Sequence, residues 1–180
     1  MKIISGKYKG KNIDGYNIDG TRPTQDRVKE SMFAMIQDYL SDSVVLDLFA
    51  GSGNLGIEAL SNGASMVYFI DSNDKCVRII NKNLLGIGDE YQIKCMDYRD
   101  SLLFFERSKI TFDVILLDPP YKLNCISEIL LTVIKKSLLN SSGIIVCEYE
   151  NDDFLDDYPE LELIKYKKYG YKNVRIYRRR

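Results

Sequence analysis

Val44-Val45-Leu46-Asp47-Leu48-Phe49-Ala50-Gly51-Ser52-Gly53-Asn54-Leu55-Gly56 is the stretch whose reading decides the fold. Its apolar start, ending in Asp47, reads as a buried strand, and Gly51, Gly53 and Gly56 form a G-x-G-x-x-G turn into an amphipathic helix carrying Leu55, Ile57 and Leu60. Glycine is needed where the chain reverses sharply, where backbone approaches a ligand, and where helix packs closely on strand. The loop amides and the helix N-terminus are expected to face whatever is bound. Three glycines alone also suit a tight turn that binds nothing. A nicotinamide site is a further reading, because Met66–Ile70 is an apolar strand ending at Asp71, about 20 residues after Gly51, where a ribose-binding acid belongs.

Outward from this loop the spacing predicts helix Gly56–Asn62, strand Met66–Ile70, helix Asp74–Leu85, strand Tyr91–Cys95 and helix Ser101–Arg107. Strand Phe112–Leu117, helix Ile126–Leu138 and strand Gly143–Cys147 follow, and Leu161–Lys168 with Asn173–Tyr177 around Gly170 reads as a closing antiparallel hairpin. The fold expected is α/β, with a mostly parallel central sheet and helices on both faces. Ligands then sit at the carboxyl ends of the strands, where Asp47, Asp71, Asp97 and Asp118 bring four carboxylates to one rim. Upstream, Met1–Gly20 reads as a small β unit turned at Gly6 and Gly10, and Thr24 as the N-cap of a helix with Val28, Met32, Met35, Ile36 and Tyr39 on its apolar face.

At 180 residues one core is expected, and no run of about 18 apolar residues suggests a membrane span. With no charged-then-apolar leader, a cytoplasmic location is expected. Without histidine, Ser-His-Asp and Cys-His mechanisms are excluded. Cys76, Cys95, Cys125 and Cys147 lack metal-ligand spacing, so no metal and four reduced thiols are expected. The net charge of -1 hides segregation: Lys2, Lys7, Lys9 and Lys11 are followed by Arg22, Arg27 and Lys29, and Lys165–Arg180 is basic, whereas Glu148–Glu162 is acidic. Such a division suits either a nucleic-acid-binding face or opposed surface strands.

The second chemistry-bearing stretch is Asp118-Pro119-Pro120-Tyr121, delivered by the buried strand before it. Two prolines supply no N–H and stiffen the turn, leaving an acceptor-only cradle. Asp118 and the Pro119 carbonyl are placed to take both hydrogens of an exocyclic amine and aim its lone pair at an electrophilic methyl, with Tyr121 offering a face for an extruded base. Hydride transfer has no use for such a cradle.

The first loop resembles the D-x-F-x-G-x-G motif of class I S-adenosylmethionine-dependent methyltransferases, and its pairing with Asp-Pro-Pro-Tyr resembles those that methylate amino groups. The chain is similar to the RsmD family, 16S ribosomal RNA (guanine-N2)-methyltransferases. The matching segments are Ile3–Lys11, Arg22–Glu30, Asp47–Leu60 and Asp118–Tyr121. The resemblance implies a Rossmann-like methyltransferase domain over residues 21–180, and a basic N-terminal β-hairpin over residues 1–20 that contacts RNA through Lys7, Lys9 and Lys11, with Arg22 and Arg27 beyond it. It assigns Asp47, Phe49, Gly51, Ser52 and Gly53 to the S-adenosylmethionine loop, with Gly51 and Gly53 at the methionine moiety. It further implies Asp71 at the ribose hydroxyls, Asp97 at the adenine amine with Asp100 as a neighbouring candidate, and Asp118, Pro119, Pro120 and Tyr121 at the target guanine. The implied partner is 16S ribosomal RNA in a small-subunit particle, met by a monomer. The rivals are an adenine-N6 DNA methyltransferase, which uses the same cradle, and a catalytically silent RNA-binding assembly factor.

Overall fold

The computed structural model describes residues 1–15, 23–150, 154 and 157–180. Its elements in chain order are α1 (Pro23–Ile36), β1 (Val44–Asp47), α2 (Asn54–Ser61), β2 (Met66–Asp71), α3 (Asp74–Asn83) and β3 (Glu90–Cys95). They continue with α4 (Tyr98–Ser108), β4 (Phe112–Leu117), α5 (Ile126–Lys135), β5 (Leu139–Tyr149), β6 (Leu161–Tyr169) and β7 (Lys172–Arg179). The strands form one sheet of 7 in the order β3-β2-β1-β4-β5-β7-β6. β1 to β5 run parallel, while β7 is antiparallel to both β5 and β6. The expected α/β architecture with a closing antiparallel hairpin is therefore present.

Period-two alternation along the central strands divides the core. Val45, Val67, Val114, Leu116, Val146 and Val174 face α1, α2 and α3, whereas Leu46, Ile115, Leu117, Ile145 and Cys147 face α4 and α5. Gly56 permits the close approach between α2 and β2, since a Cβ there would lie 2.2 Å from the Phe69 ring. Such overlap has no remedy in a close-packed interior.

Several boundaries differ from the sequence expectation. α1 begins at Pro23, so Thr24 lies inside the helix rather than capping it; proline suits a first helical position because its missing N–H has no intrahelical acceptor there. α4 starts at Tyr98, immediately after Asp97, whose side chain accepts from Arg99 N and serves as the N-cap. β5 extends from Leu139 to Tyr149, well beyond its apolar centre.

The N-terminal hairpin is narrow. Among its described residues it has a single antiparallel bridge, Lys2 to Asn12, supported by Ile3 N to Lys11 O at 3.0 Å and Ile13 N to Met1 O at 2.9 Å. Ile3 and Ile13 are buried in the same core as α1, α2 and α3. Tyr16, Ile18 and Arg22 fall outside the described residues. A buried cluster clamps this segment to the body. Glu58 accepts from Ile4 N and Ser5 N, and pairs at 3.0 Å with Lys29, which also donates to Lys2 O and Asn54 Oδ1. Among the described residues no helix is long and apolar enough to cross a membrane.

Candidate active site

The carboxyl ends of β1, β2, β4 and β5 open on a cleft of about 780 Å³. One wall is the glycine loop. Gly53 takes φ 80° as the cap of α2, a left-handed conformation that side chains disfavour. Ala50 N donates to Ile70 O at 2.9 Å, tying the loop to β2.

The carboxylates at this wall have distinct positions. Asp71 faces the cleft and accepts from Gly51 N at 2.8 Å and Asn73 N at 2.9 Å, so it joins the β1 and β2 loops with lone pairs left over. Asp47 instead lies beneath the loop, 1% exposed, where Oδ2 accepts from Gly56 N at 2.8 Å. Burial, aided by the Asp71 charge and opposed by the Gly56 N–H, pushes its carboxyl up to about 7. The expectation that the loop amides point at a ligand is thus altered: Gly51, Gly53 and Gly56 donate to Asp71, Ala50 O and Asp47 respectively. Phe49, Gly51 and Ser52 line the cleft, whereas Asp47 and Gly53 build it from behind.

The β3–α4 junction supplies an aromatic wall. Phe49 and Tyr98 have ring centroids 5.3 Å apart, and Arg99 lies over Tyr98 while pairing with Glu128 at 3.0 Å. Burial pushes the Tyr98 phenol up to about 12. Asp97 lines the cleft with Met96, whereas Asp100 occupies the first turn of α4 outside that lining.

The opposite wall is the turn after β4. Asp118 and Pro119 line the cleft, and Pro120 O accepts from Leu123 N at 2.9 Å in the short 3₁₀ turn Tyr121–Leu123. Pro120 lines the cleft with them, so this wall is built from a carboxylate and a turn whose two prolines supply no N–H. The side chain of Tyr121 lies outside the described residues. Asp118 has a carboxyl raised well above the usual range by burial and by the Glu148 charge, with Lys172 opposing.

Glu148 and Lys172, which the sequence reading did not single out, also line the cleft and form a buried ion pair. Met1, Lys29 and Asn54, none of them among the site residues expected from the sequence, also line the cleft. The RNA candidates are placed differently. Lys7 pairs with Asp89 and Lys11 Nζ donates to Leu85 O at 2.7 Å, while Lys7 N binds Ser61 O at the end of α2. These contacts put the basic turn at the strand N-terminal edge, opposite the cleft. Lys9 and Arg27 are exposed.

The strand order and the ligand rim together define a Rossmann-like class I methyltransferase fold, and comparison with known proteins narrows the class. The family described as "Conserved hypothetical protein 95" matches residues 1–178. Ribosomal RNA small subunit methyltransferase D of Haemophilus influenzae is 33% identical over 179 residues, covering 98% of this chain and 93% of that one. A Bacillus subtilis protein provisionally named rRNA methyltransferase YlbH is 36% identical over 183 residues, covering 100% of both. A solved Escherichia coli structure, yhhF, provisionally described as a methyltransferase, superposes with a TM-score of 0.84 at 27% identity, covering 99% of this chain and 97% of that one. A structure of SMU.776 with SAH, 15% identical, shares the fold at a TM-score of 0.71 over 86% of this chain and 49% of that one. This chain belongs to the RsmD family of methyltransferases.

Proposed function

We propose that this chain transfers a methyl group from S-adenosylmethionine to the exocyclic N2 amine of a guanine in 16S ribosomal RNA of the small subunit. One observation carries the reading: the glycine loop and the Asp118-Pro119 turn open on the same cleft from one edge of the sheet. The relatives' names support ribosomal RNA as the substrate.

The residues present fit the donor. Phe49 and Tyr98 offer an aromatic wall to an adenine ring, Asp97 a nearby acceptor, and Asp71 lone pairs to vicinal hydroxyls. At Gly51 a Cβ would meet nothing within 4 Å, so space remains beside the loop. When bound, S-adenosylmethionine supplies an electrophilic methyl on a sulfonium. Asp118 and the Pro119 carbonyl accept the two N2 hydrogens and hold the amine's lone pair on the line of displacement. The nitrogen forms its new bond to carbon as the carbon–sulfur bond breaks towards sulfur. The methylated nitrogen then sheds one proton, with Asp118 as the adjacent acceptor. The roles assigned to Lys9 and Arg27 are contacts with RNA phosphates outside the cleft.

The test is incubation of the full-length protein with tritiated S-adenosylmethionine and small-subunit particles from a strain lacking it, followed by nucleoside mapping. N2-methylguanosine at one position is the expected product. Label found only on duplex DNA adenine would replace this reading, and calorimetry showing no S-adenosylmethionine binding would point to a silent assembly factor.

A further inference from the structure

Glu148 is buried, charged and turned into the cleft beside the proposed target cradle, yet the chemistry above gives it no task. Its placement follows from strand register. Leu117 pairs with Cys147 across the parallel β4 and β5, so Asp118 and Glu148 are the next residue on each strand. Glu148 in turn lies opposite Val174 on antiparallel β7, two residues from Lys172. Leu116, Val146 and Val174 share one face of the sheet, and alternation puts Asp118, Glu148 and Lys172 on that same face. Three neighbouring strands thus present two carboxylates and an ammonium in a row, in the order Asp118, Glu148, Lys172. The Lys172 Nζ donates to Glu148 Oε1, which offsets the cost of a buried charge and leaves the carboxylate further acceptor capacity.

That order matches one base edge. Guanine presents N2–H2, N1–H and O6 in sequence: donor, donor, acceptor. Adenine offers a donor at N6 but a bare lone pair at N1, which would meet a carboxylate with no hydrogen between them. We infer that Glu148, oriented by Lys172, accepts the N1–H of the target guanine and so selects guanine for methylation at the Asp118 cradle. Lys172 stands on the O6 side of the same edge. This rests on the guanine-N2 reading above and adds to it the group that makes the choice. A site built around a buried acceptor rejects a base lacking the matching donor, because the acceptor is left unpaired.

The experiment uses the full-length protein and a small-subunit RNA fragment carrying, at the mapped position, either guanine or 2,6-diaminopurine. Both bases offer the N2 amine, but diaminopurine has a lone pair at N1 and an amine at C6. The wild-type protein is expected to favour guanine by roughly 10–100-fold in kcat/KM, the scale of one good base-edge contact. Glu148→Gln, whose amide can donate to that lone pair, should reduce the preference at least about tenfold, while S-adenosylmethionine binding by calorimetry stays within about threefold. Glu148→Gln with Lys172→Met removes the stranded lysine and should show the same altered preference if the single variant folds poorly. Equal methylation of the two bases by the wild-type protein would overturn the inference. So would variants that lose rate on both bases in proportion, the mark of a purely structural ion pair. A mapped product other than N2-methylguanosine would fail the functional reading itself; N2-methylguanosine with an unchanged base preference would fail only the role of Glu148.

Discussion

The two walls of the cleft spend their carboxylates differently. On the β1–β2 side, Asp47 and Asp71 accept backbone N–H groups from Gly56, Gly51 and Asn73, which shapes the loop and leaves Asp71 alone of the two facing the cleft. On the β4–β5 side, no donor among the described residues hydrogen-bonds to Asp118, and Glu148 is held by a lysine rather than by backbone. One wall commits backbone-bonded acceptors to its own geometry before any ligand arrives; the other leaves Asp118 open for a ligand that arrives carrying hydrogens. The division suits a reaction in which the donor is a cation held by shape and the acceptor is an amine held by hydrogen bonds.

The largest test of this contrast is Asp118→Ala. If the β4 wall acts on the amine and the β1 wall holds the donor, kcat should fall by about 10²–10³ while the S-adenosylmethionine Kd moves by less than about threefold. Single-turnover kinetics paired with calorimetry reads both quantities, and comparable losses in each would erase the distinction between the walls. The raised Asp118 carboxyl adds a pH signature. The ionised form is the better acceptor, so the rate should climb with pH through that raised value, and Asp118→Asn should flatten the climb.

The second test concerns the wall that makes geometry. With Asp47 raised to about 7 in the folded chain, the native state keeps a proton that the unfolded chain releases near pH 4. Stability in the absence of ligand should therefore fall as pH rises from about 4 through about 7. The total loss from this group is on the order of 4 kcal/mol. Urea unfolding across that range measures the slope, and Asp47→Asn, which can still accept from Gly56 N, should remove it. A slope that persists in the variant would place the titrating group elsewhere.

What the sequence revealed follows the same division. The strand, glycine turn and helix around Gly51 are local, and the alternation after them leaves few sheet topologies, so the fold was legible. The strand-end rule also brought Asp71, Asp97 and Asp118 to the rim. It passed over Glu148, the equivalent residue on the fifth strand, because that position opens the acidic run Glu148–Glu162 and looked like surface charge. Lys172 was hidden in the basic tail in the same way, since its pairing depends on an antiparallel register between β5 and β7 that no local pattern encodes. Asp47 was placed at the right strand end. Only the path of the loop over it decides that it meets Gly56 rather than a ligand.

The smallest expected effects lie farthest from both walls, in the N-terminal turn, where the family resemblance implied RNA contacts through Lys7, Lys9 and Lys11. Long-range contacts alter that expectation: Lys7 reaches Asp89, 82 residues away, and Lys11 reaches the Leu85 carbonyl, 74 residues away. Lys9 is exposed and takes part in neither contact. A lysine that binds a phosphate contributes about 0.9 to the slope of log affinity against log salt for duplex nucleic acid, and about 0.7 for a single strand. Lys9→Ala should therefore lower that slope by roughly one unit for small-subunit RNA, with Lys11→Ala leaving it nearly unchanged. Equal reductions from both would mean that the Leu85 contact opens on binding, and no change from either would remove this turn from the RNA footprint. In that event the exposed Arg27 on α1 and the rim of the cleft would have to supply the phosphate contacts.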